Sequence, residues 1–285
     1  MAIDDVLSMN CRNIEYIMNC NRREHFVLVD DKLTTKSILN KYGIASAELI
    51  CQVDSFFGID TFLETVSQRS TFVIKPARGS GGSGIVVVKR CSNATWHLSD
   101  GETWDREKQR QHIQNILYGT FSLDSTGDMA FAESLIHSHP DLDCFSQAGL
   151  PDIRVILYLG RPVASMLRVA THQSHGKANL HAGGFAVAID METGITGRGW
   201  HKKQYIEKHP ETNAPLPGRQ MPFWGETLQI AKKLFEYFPL GYMGADFAID
   251  TDHGPLILEL NARPGLEIQN VIGHGLKSIL ERSLV

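Results

Sequence analysis

The 285-residue chain is 42% hydrophobic, 21% charged and 8% aromatic, which excludes a disordered or collagen-like protein and allows one large domain or two lobes at roughly 150 residues per domain. With 28 Lys and Arg against 32 Asp and Glu, the formal net charge is -4, so no overall basic field favours a nucleic-acid partner. Five cysteines without repeated spacing (Cys11, Cys20, Cys51, Cys91, Cys144) read as reduced thiols of a cytoplasmic protein. Acids early in the first twenty residues, and the absence of an apolar run near the roughly 20 residues a bilayer requires, predict neither signal peptide nor membrane span.

Ile3, Val6, Leu7, Ile14, Ile17 and Met18 recur at mostly helical spacing, so residues 1–30 read as a helical lead-in, ending in FVLVD as a short strand. DDKLTTKSILNKYGI reads as a helix capped by Asp31 or Thr34 and stopped at Gly43, with Lys32 and Lys36 on its first turns. In TFVIKPARGSGGSGIVVVKR two β-rich runs, Phe72–Ile74 and Ile85–Val88, flank a glycine-rich tip, which predicts a hairpin over 71–90 with a flexible lid. A helix over 104–117 and a strand in MAFAESLI follow, broken by Thr126–Asp128.

The second half begins near residue 135. DIRVILYLGRPVASMLRVAT reads as two strands turning at Gly160, GGFAVAIDMETGITG as another hairpin, and the proline-bearing stretch 199–222 as a surface loop. A helix over 224–237, two strands in GADFAID and PLILELN, and a helical 266–284 complete the chain.

Gly79, Gly81 and Gly84 satisfy GxGxxG, a pattern with several owners. A dinucleotide fingerprint requires a helix after the last glycine, but Ile85–Val88 continues as a strand. A Walker loop requires Lys and Ser or Thr there. The kinase pattern matches through Val86, and Asp246–Ala248 imitates its metal-binding triplet, yet no HRD motif exists and Lys89 comes too soon. What remains is Lys75, on the entering strand below a lid of free backbone N–H groups, suited to nucleotide phosphates.

DDKLTTK, FVIKPARGSGGSGI, AESLI, PDIRVILYLGRPVASMLR, GKANLHAGG, GYMGADFAID and LILELNARPGLEIQ form an ordered set that resembles the ATP-grasp superfamily, most closely the α-L-glutamate ligase-related proteins. The resemblance implies an α+β fold of two lobes, each with an antiparallel sheet and helices, gripping ATP. It covers residues 31–285, as a first lobe over 31–134 and a second over 135–285. It implies phosphate-binding roles for Lys32 and Lys75 and a mobile lid from Gly79, Ser80, Gly81, Gly82, Ser83 and Gly84. It further implies an adenine-facing hinge at Glu133, Ser134 and Leu135, a ribose-binding acid at Asp152, and Arg154 facing the terminal phosphate. Lys177 and Asn179 stand where related ligases carry Arg-x-Asn; the lysine keeps the charge and gives up the bidentate fork. Arg168, His181 and Arg263 are expected at the substrate, with Arg154, Lys177 and Arg263 nearest the chemistry.

Glu259 and Asn261, two apart on a strand, face one side, and Asp246 lies on the partner strand of the same hairpin. Three hard oxygen ligands thereby suit Mg²⁺, with Mn²⁺ as its substitute. His172, His175 and His181 cluster in sequence, but no Cys or carboxylate completes a zinc set.

The reaction implied by the resemblance is ATP-dependent joining of a small-molecule or peptide carboxylate to an amino acid such as glutamate, through an acyl phosphate. Two alternatives share the nucleotide residues: an ATP-grasp protein of cell-surface polysaccharide assembly, and a nucleotide-binding protein without catalysis. The glutamate ligases carry an N-terminal domain of roughly a hundred residues where this chain offers about thirty. A homo-oligomer is compatible with the sequence.

Overall fold

The computed structural model describes residues 5–122 and 126–283. The predicted helical positions Ile3 and Leu284 lie outside that range. A helix runs from α1 (Met9–Cys11) into a wider π-helical stretch (Arg12–Met18), followed by α2 (Val27–Asp30) and α3 (Lys32–Lys41). FVLVD is therefore helical and not the strand its composition predicts. An apolar run this short satisfies either period, and here the amides of Val29 and Asp30 both donate to the Phe26 carbonyl while Val29 packs with Leu39 and Ile44.

Next come β1 (Leu49–Val53), α4 (Ile59–Val66), β2 (Phe72–Pro76), β3 (Val86–Ser92), β4 (Thr95–Leu98), β5 (Thr103–Trp104), α5 (Arg106–Leu117) and β6 (Ala130–Glu133). They form an antiparallel sheet in the order β1-β6-β2-β3-β4-β5. In α4, Ile59, Phe62, Leu63 and Val66 recur at i, i+3, i+4 and i+7, burying one stripe in a cluster with Phe72, Ile74 and Trp96. Asp105 starts α5 by accepting the Lys108 amide at 3.0 Å.

The remaining strands are β7 (Asp152–Tyr158), β8 (Arg161–Val169), β9 (Phe185–Ile189), β10 (Thr196–His201), β11 (Gln204–Ile206), β12 (Tyr242–Asp250) and β13 (Gly254–Asn261). Together they make a second antiparallel sheet, β11-β10-β9-β8-β7-β12-β13. β7 turns into β8 through Leu159 and Gly160, with φ of 47° and 76°; this positive-φ pair suits a two-residue hairpin, and glycine takes it without strain. All nine residues of β12 are buried, as a strand covered on both faces requires. Helix α6 (Trp224–Tyr237) sends Trp224, Ala231 and Leu234 into the core beside Leu216 and Met221.

Two expectations change here. The 199–222 stretch is more than a surface loop: it contributes the edge strand β11 and buries His209, Leu216 and Met221. Its prolines break regular structure without preventing burial, because the backbone finds partners, as in the Leu216 amide to Glu207 carbonyl bond of 2.9 Å. The expected helix over 266–284 is two, α7 (Ile268–Ile272) and α8 (Leu276–Arg282), broken at Gly273 with φ of 75°.

The chain divides into a larger unit of residues 1–30, 34–46 and 137–285, and a smaller one of 31–33 and 47–136. Each carries one of the sheets, which meets the α+β expectation. Among the described residues no helix is long and apolar enough to cross a membrane.

Candidate active site

In the smaller unit the β2–β3 hairpin, in register from Phe72↔Val88 to Ile74↔Val86, presents the glycine loop. Gly81, Gly82 and Gly84 hold φ of 61°, 75° and 75°, a region open to glycine at little cost. A side chain at Gly79 would meet Pro76, and one at Gly84 would meet the Phe121 ring at 2.7 Å.

Both ends of the loop are anchored. The Arg78 amide donates to the two carboxylate oxygens of Asp128 at 3.2 and 3.1 Å, and Asp128 also accepts the Ser122 hydroxyl at 2.6 Å. Gly79 bridges Ser122. At the far end the Gly84 carbonyl accepts from His112 Nε2 at 3.0 Å. Burial pushes His112 below the usual imidazole range, so it is neutral at pH 7 with its proton on Nε2. The loop is thus tethered at both ends. The TGD turn is the one sequence sign of the Asp128 anchor; His112, in a polar helix, gives none.

Two lysines flank the loop. Lys32 donates its amide to the Ala77 carbonyl at 2.9 Å and its ammonium to the Gly79 carbonyl at 2.5 Å. Lys75 forms an ion pair with Glu133, both side chains largely buried. Ser134 donates its amide to the Glu48 carbonyl at 2.9 Å and its hydroxyl to the Glu48 carboxylate at 3.0 Å, and Leu135 follows half-buried.

In the larger unit the sheet register assembles a charged row. Arg154 on β7 lies opposite Asp246 on β12, and Asp246 lies opposite Glu259 on β13; Asp152 lies opposite Arg168 on β8. Directly opposed residues share a face, so four neighbouring strands deliver these groups to one side. Arg154 binds Asp246 through two parallel bonds, Nε to Oδ1 at 2.7 Å and Nη2 to Oδ2 at 2.6 Å. This is the fork geometry that makes guanidinium–carboxylate pairs strong. Arg168 spans two acids, donating to Asp152 at 2.6 Å and to Asp246 at 2.7 Å. Asn261 donates to Asp246 at 3.3 Å.

The electrostatics separate the two aspartates. Burial works to push Asp246 up, but Arg154 and then Arg168 outweigh it and hold its carboxyl below the ordinary value. Burial pushes Asp152 up to about 6; Arg168 opposes the rise and the neighbouring Asp246 adds to it. Burial works against the charge on Arg168, yet Asp152 and Asp246, with Glu259 contributing, raise its pKa.

Asp246, Glu259 and Asn261 offer two carboxylates and an amide oxygen, hard donors that fit Mg²⁺. Asp246 is already engaged by two guanidinium groups, so a cation held there would compete with those contacts. Among the described residues no cluster of three His, Cys, Asp or Glu side chains has metal-binding geometry.

The 171–184 loop presents Lys177 and His181 exposed and Asn179 half-buried. The Asn179 side chain accepts the His181 amide at 3.0 Å, so it holds the loop's own turn. His172 pairs with Glu211 at 3.0 Å. Arg263 is half exposed, pairs with Asp30 at 3.2 Å and lies over the Phe26 ring at 4.4 Å. Sequence reasoning misses the Asp152–Arg168 pairing, because only sheet register reveals that residues sixteen apart are opposite.

Comparisons agree with this architecture. The family model described as sugar-transfer associated ATP-grasp matches residues 11–283. No curated protein matches the chain. Among solved structures, it is similar to a biotin carboxylase from Campylobacter jejuni in complex with β,γ-ATP (TM-score 0.53, 15% identity, 87% of this chain and 43% of that one). It is also similar to D-alanyl-alanine synthetase A from Vibrio cholerae (TM-score 0.51, 12% identity, 91% and 64%). A third is the ATP-grasp ligase PsnB, complexed with a phosphomimetic variant of its minimal precursor, Mg and ADP (TM-score 0.50, 12% identity, 93% and 60%). The chain thus spans 60% of PsnB's length, and at these identities the likeness is one of fold. The resemblance expected from the motifs holds at the level of ATP-grasp; the family whose model matches is named for sugar transfer and not for glutamate ligation. The chain has the ATP-grasp fold and belongs to the sugar-transfer associated ATP-grasp family.

Proposed function

We propose that the protein is an ATP-dependent ligase that activates a carboxylate as an acyl phosphate and passes the acyl group to an amine. The observation that carries this reading is the row of Arg154, Asp246 and Glu259 across β7, β12 and β13. It brings a fixed cation and two acids to one sheet face with no nucleophile of the protein's own required.

In the smaller unit, Lys32 and Lys75 offset the negative charge of the nucleotide phosphates, and the amides of Gly79–Gly84 close over them. Glu133, Ser134 and Leu135 meet the adenine edge. In the larger unit, Asp152 takes the ribose, and Arg154, with Lys177 and Asn179, stabilises the terminal phosphoryl group as the substrate carboxylate attacks it. Arg263, Arg168 and His181 orient the acid. Asp246, Glu259 and Asn261 would hold Mg²⁺, which would supply charge neutralisation for the phosphates, and Mn²⁺ would suit the same oxygen ligands. Positioning and electrostatics supply the rate acceleration, as in phosphoryl transfer generally. Lid closure keeps water from the acyl phosphate.

The family name favours a second reading of the substrate pair, in which one partner is a sugar, either a uronic acid supplying the carboxylate or an amino sugar supplying the amine. An amino acid such as glutamate, joined to a peptide or small acid, is the reading that the motif resemblance favours. A screen with MgATP against paired acids and amines, drawn from amino acids, uronic acids and amino sugars, distinguishes them through ADP and phosphate release. Release dependent on both an acid and an amine is expected. Nucleotide binding without release for any pair would favour a protein that kept the nucleotide site and lost the chemistry.

A further inference from the structure

Among the described residues, two groups of the larger unit lack the partners their chemistry calls for. Arg12, on the first π turn, donates Nε and Nη2 to the Asn13 side-chain oxygen at 3.1 and 2.8 Å, and Nη1 to the Pro264 carbonyl at 2.9 Å. All are neutral acceptors, and among the described residues no carboxylate reaches Arg12. A guanidinium fixed in one orientation without a counter-ion is a preorganised anion binder. The second group is the Tyr242 hydroxyl, fully buried and without a hydrogen-bond partner among the described residues. Such a group is costly unless something satisfies it.

The two lie in one neighbourhood. Tyr16, one turn beyond Arg12, packs its ring 5.9 Å from that of Tyr242. Tyr242, Gly244 and Asp246 alternate onto the same face of β12. A Cβ on Gly244 would stand 2.9 Å from Pro264 and 3.8 Å from Arg154 Nε, so Pro264, which holds Arg12, and Arg154, which holds Asp246, meet over that glycine. Burial pushes the Tyr242 hydroxyl up to about 12, with Arg12 and Arg154 both opposing the rise, which keeps it a hydrogen-bond donor at neutral pH.

We propose that Arg12 and the Tyr242 hydroxyl, beside Arg154, form the subsite that receives the carboxylate of the acid substrate. The inference rests on the ligase reading for the identity of its ligand, and it assigns the short N-terminal segment a direct part in substrate binding. The hydroxyl is closed to solvent in this structure, so ligand entry requires neighbouring side chains to give way. Arg12 supplies the charge and Tyr242 a single directed donor, a combination that recognises a carboxylate from an amino acid or from a uronic acid alike.

The test uses the full chain with ADP and Mg²⁺, titrated with L-glutamate in one arm and D-glucuronate in the other, and followed by calorimetry. At least one arm is expected to bind wild-type protein. Arg12→Met should weaken that binding about tenfold or more, and Arg12→Lys should recover part of the loss. Tyr242→Phe should weaken it severalfold while the melting temperature of the free protein stays the same or rises, since a buried hydroxyl without a partner is removed. That opposition separates a binding role from a structural one and guards against an Arg12 variant that folds poorly. Binding of neither carboxylate to wild type, or unaltered binding in Tyr242→Phe, would overturn the subsite. Carboxylate binding lost in the variants but without turnover in wild type would support the subsite and count against the ligase reading alone.

Discussion

Lys75 and Glu133 sit diagonally on the adjacent strands β2 and β6 and form an ion pair, with side chains only 13% and 6% exposed. The lysine proposed for the nucleotide is therefore also an ion-pair partner of Glu133 in the sheet. Lys75→Met leaves Glu133 buried without that cation and should cost about 3 kcal/mol in urea unfolding. The paired variant Lys75→Met with Glu133→Gln should recover most of that stability, but not nucleotide affinity measured by titration with a fluorescent ATP analogue. Recovery of both would assign Lys75 to the sheet and not to the phosphates.

The anchors on the glycine loop divide its dynamics. Hydrogen exchange in the free protein should be slow at Arg78, whose amide is held by Asp128, and fast at Gly81 and Gly82. It should slow across 80–83 on addition of Mg²⁺ and a non-hydrolysable ATP analogue. Replacing Gly81 and Gly82 by alanine forces positive φ on residues with a Cβ, at about 1 kcal/mol each, and should lower turnover more than global stability. Equal exchange with and without saturating nucleotide would make the loop a static turn.

Asp152 gives the larger unit a distinct pH signature. Burial raises its folded-state pKa from 3.8 to about 6, so between these values the folded protein binds more protons than the unfolded chain. Stability therefore falls as pH climbs from about 4 to about 6, and is level above. Asp246 runs the other way: its lowered pKa contributes stability above 3.8 that is lost as pH falls through its folded value. Melting temperatures of wild type and Asp152→Asn should accordingly be compared as a difference. The variant should gain relative to wild type on going from pH 4.5 to pH 7, and a constant difference would show that Asp152 does not titrate in this window.

Much of the fold and of the candidate site is legible in the amino-acid sequence. The β2–β3 hairpin, the β7–β8 turn at Gly160 and helix α6 follow from strong local periodicity and glycine placement, and the Asp246, Glu259 and Asn261 set follows from period-two alternation on one hairpin. FVLVD misleads because so short an apolar run carries no decisive period, and packing on Leu39 and Ile44 selects the helix. The 199–222 stretch misleads because its prolines suggest exposure, although Leu216 is fully buried. The arginine bridges from Arg168, the His112 anchor and the Arg12 contact with Pro264 depend on contacts between residues 16 to 252 positions apart, which no local pattern encodes.

Glu259 is half-buried where Asp246 is fully buried, so its replacement separates chemistry from folding more cleanly than replacement of the aspartate. Glu259→Gln should lower turnover by about a hundredfold or more while changing unfolding free energy by less than about 1 kcal/mol. Turnover near the wild-type rate, measured as phosphate release with Mg²⁺ and ATP, would remove Glu259 from the metal set.

The acyl phosphate is the central claim, and isotope transfer tests it directly. With the acid substrate labelled with ¹⁸O in its carboxylate, attack on the terminal phosphoryl group followed by displacement by the amine moves one labelled oxygen into the released phosphate. Mass spectrometry should find one ¹⁸O in each phosphate formed with fully labelled acid, and ADP as the other product. Phosphate without label, or AMP and pyrophosphate in place of ADP, would contradict the mechanism.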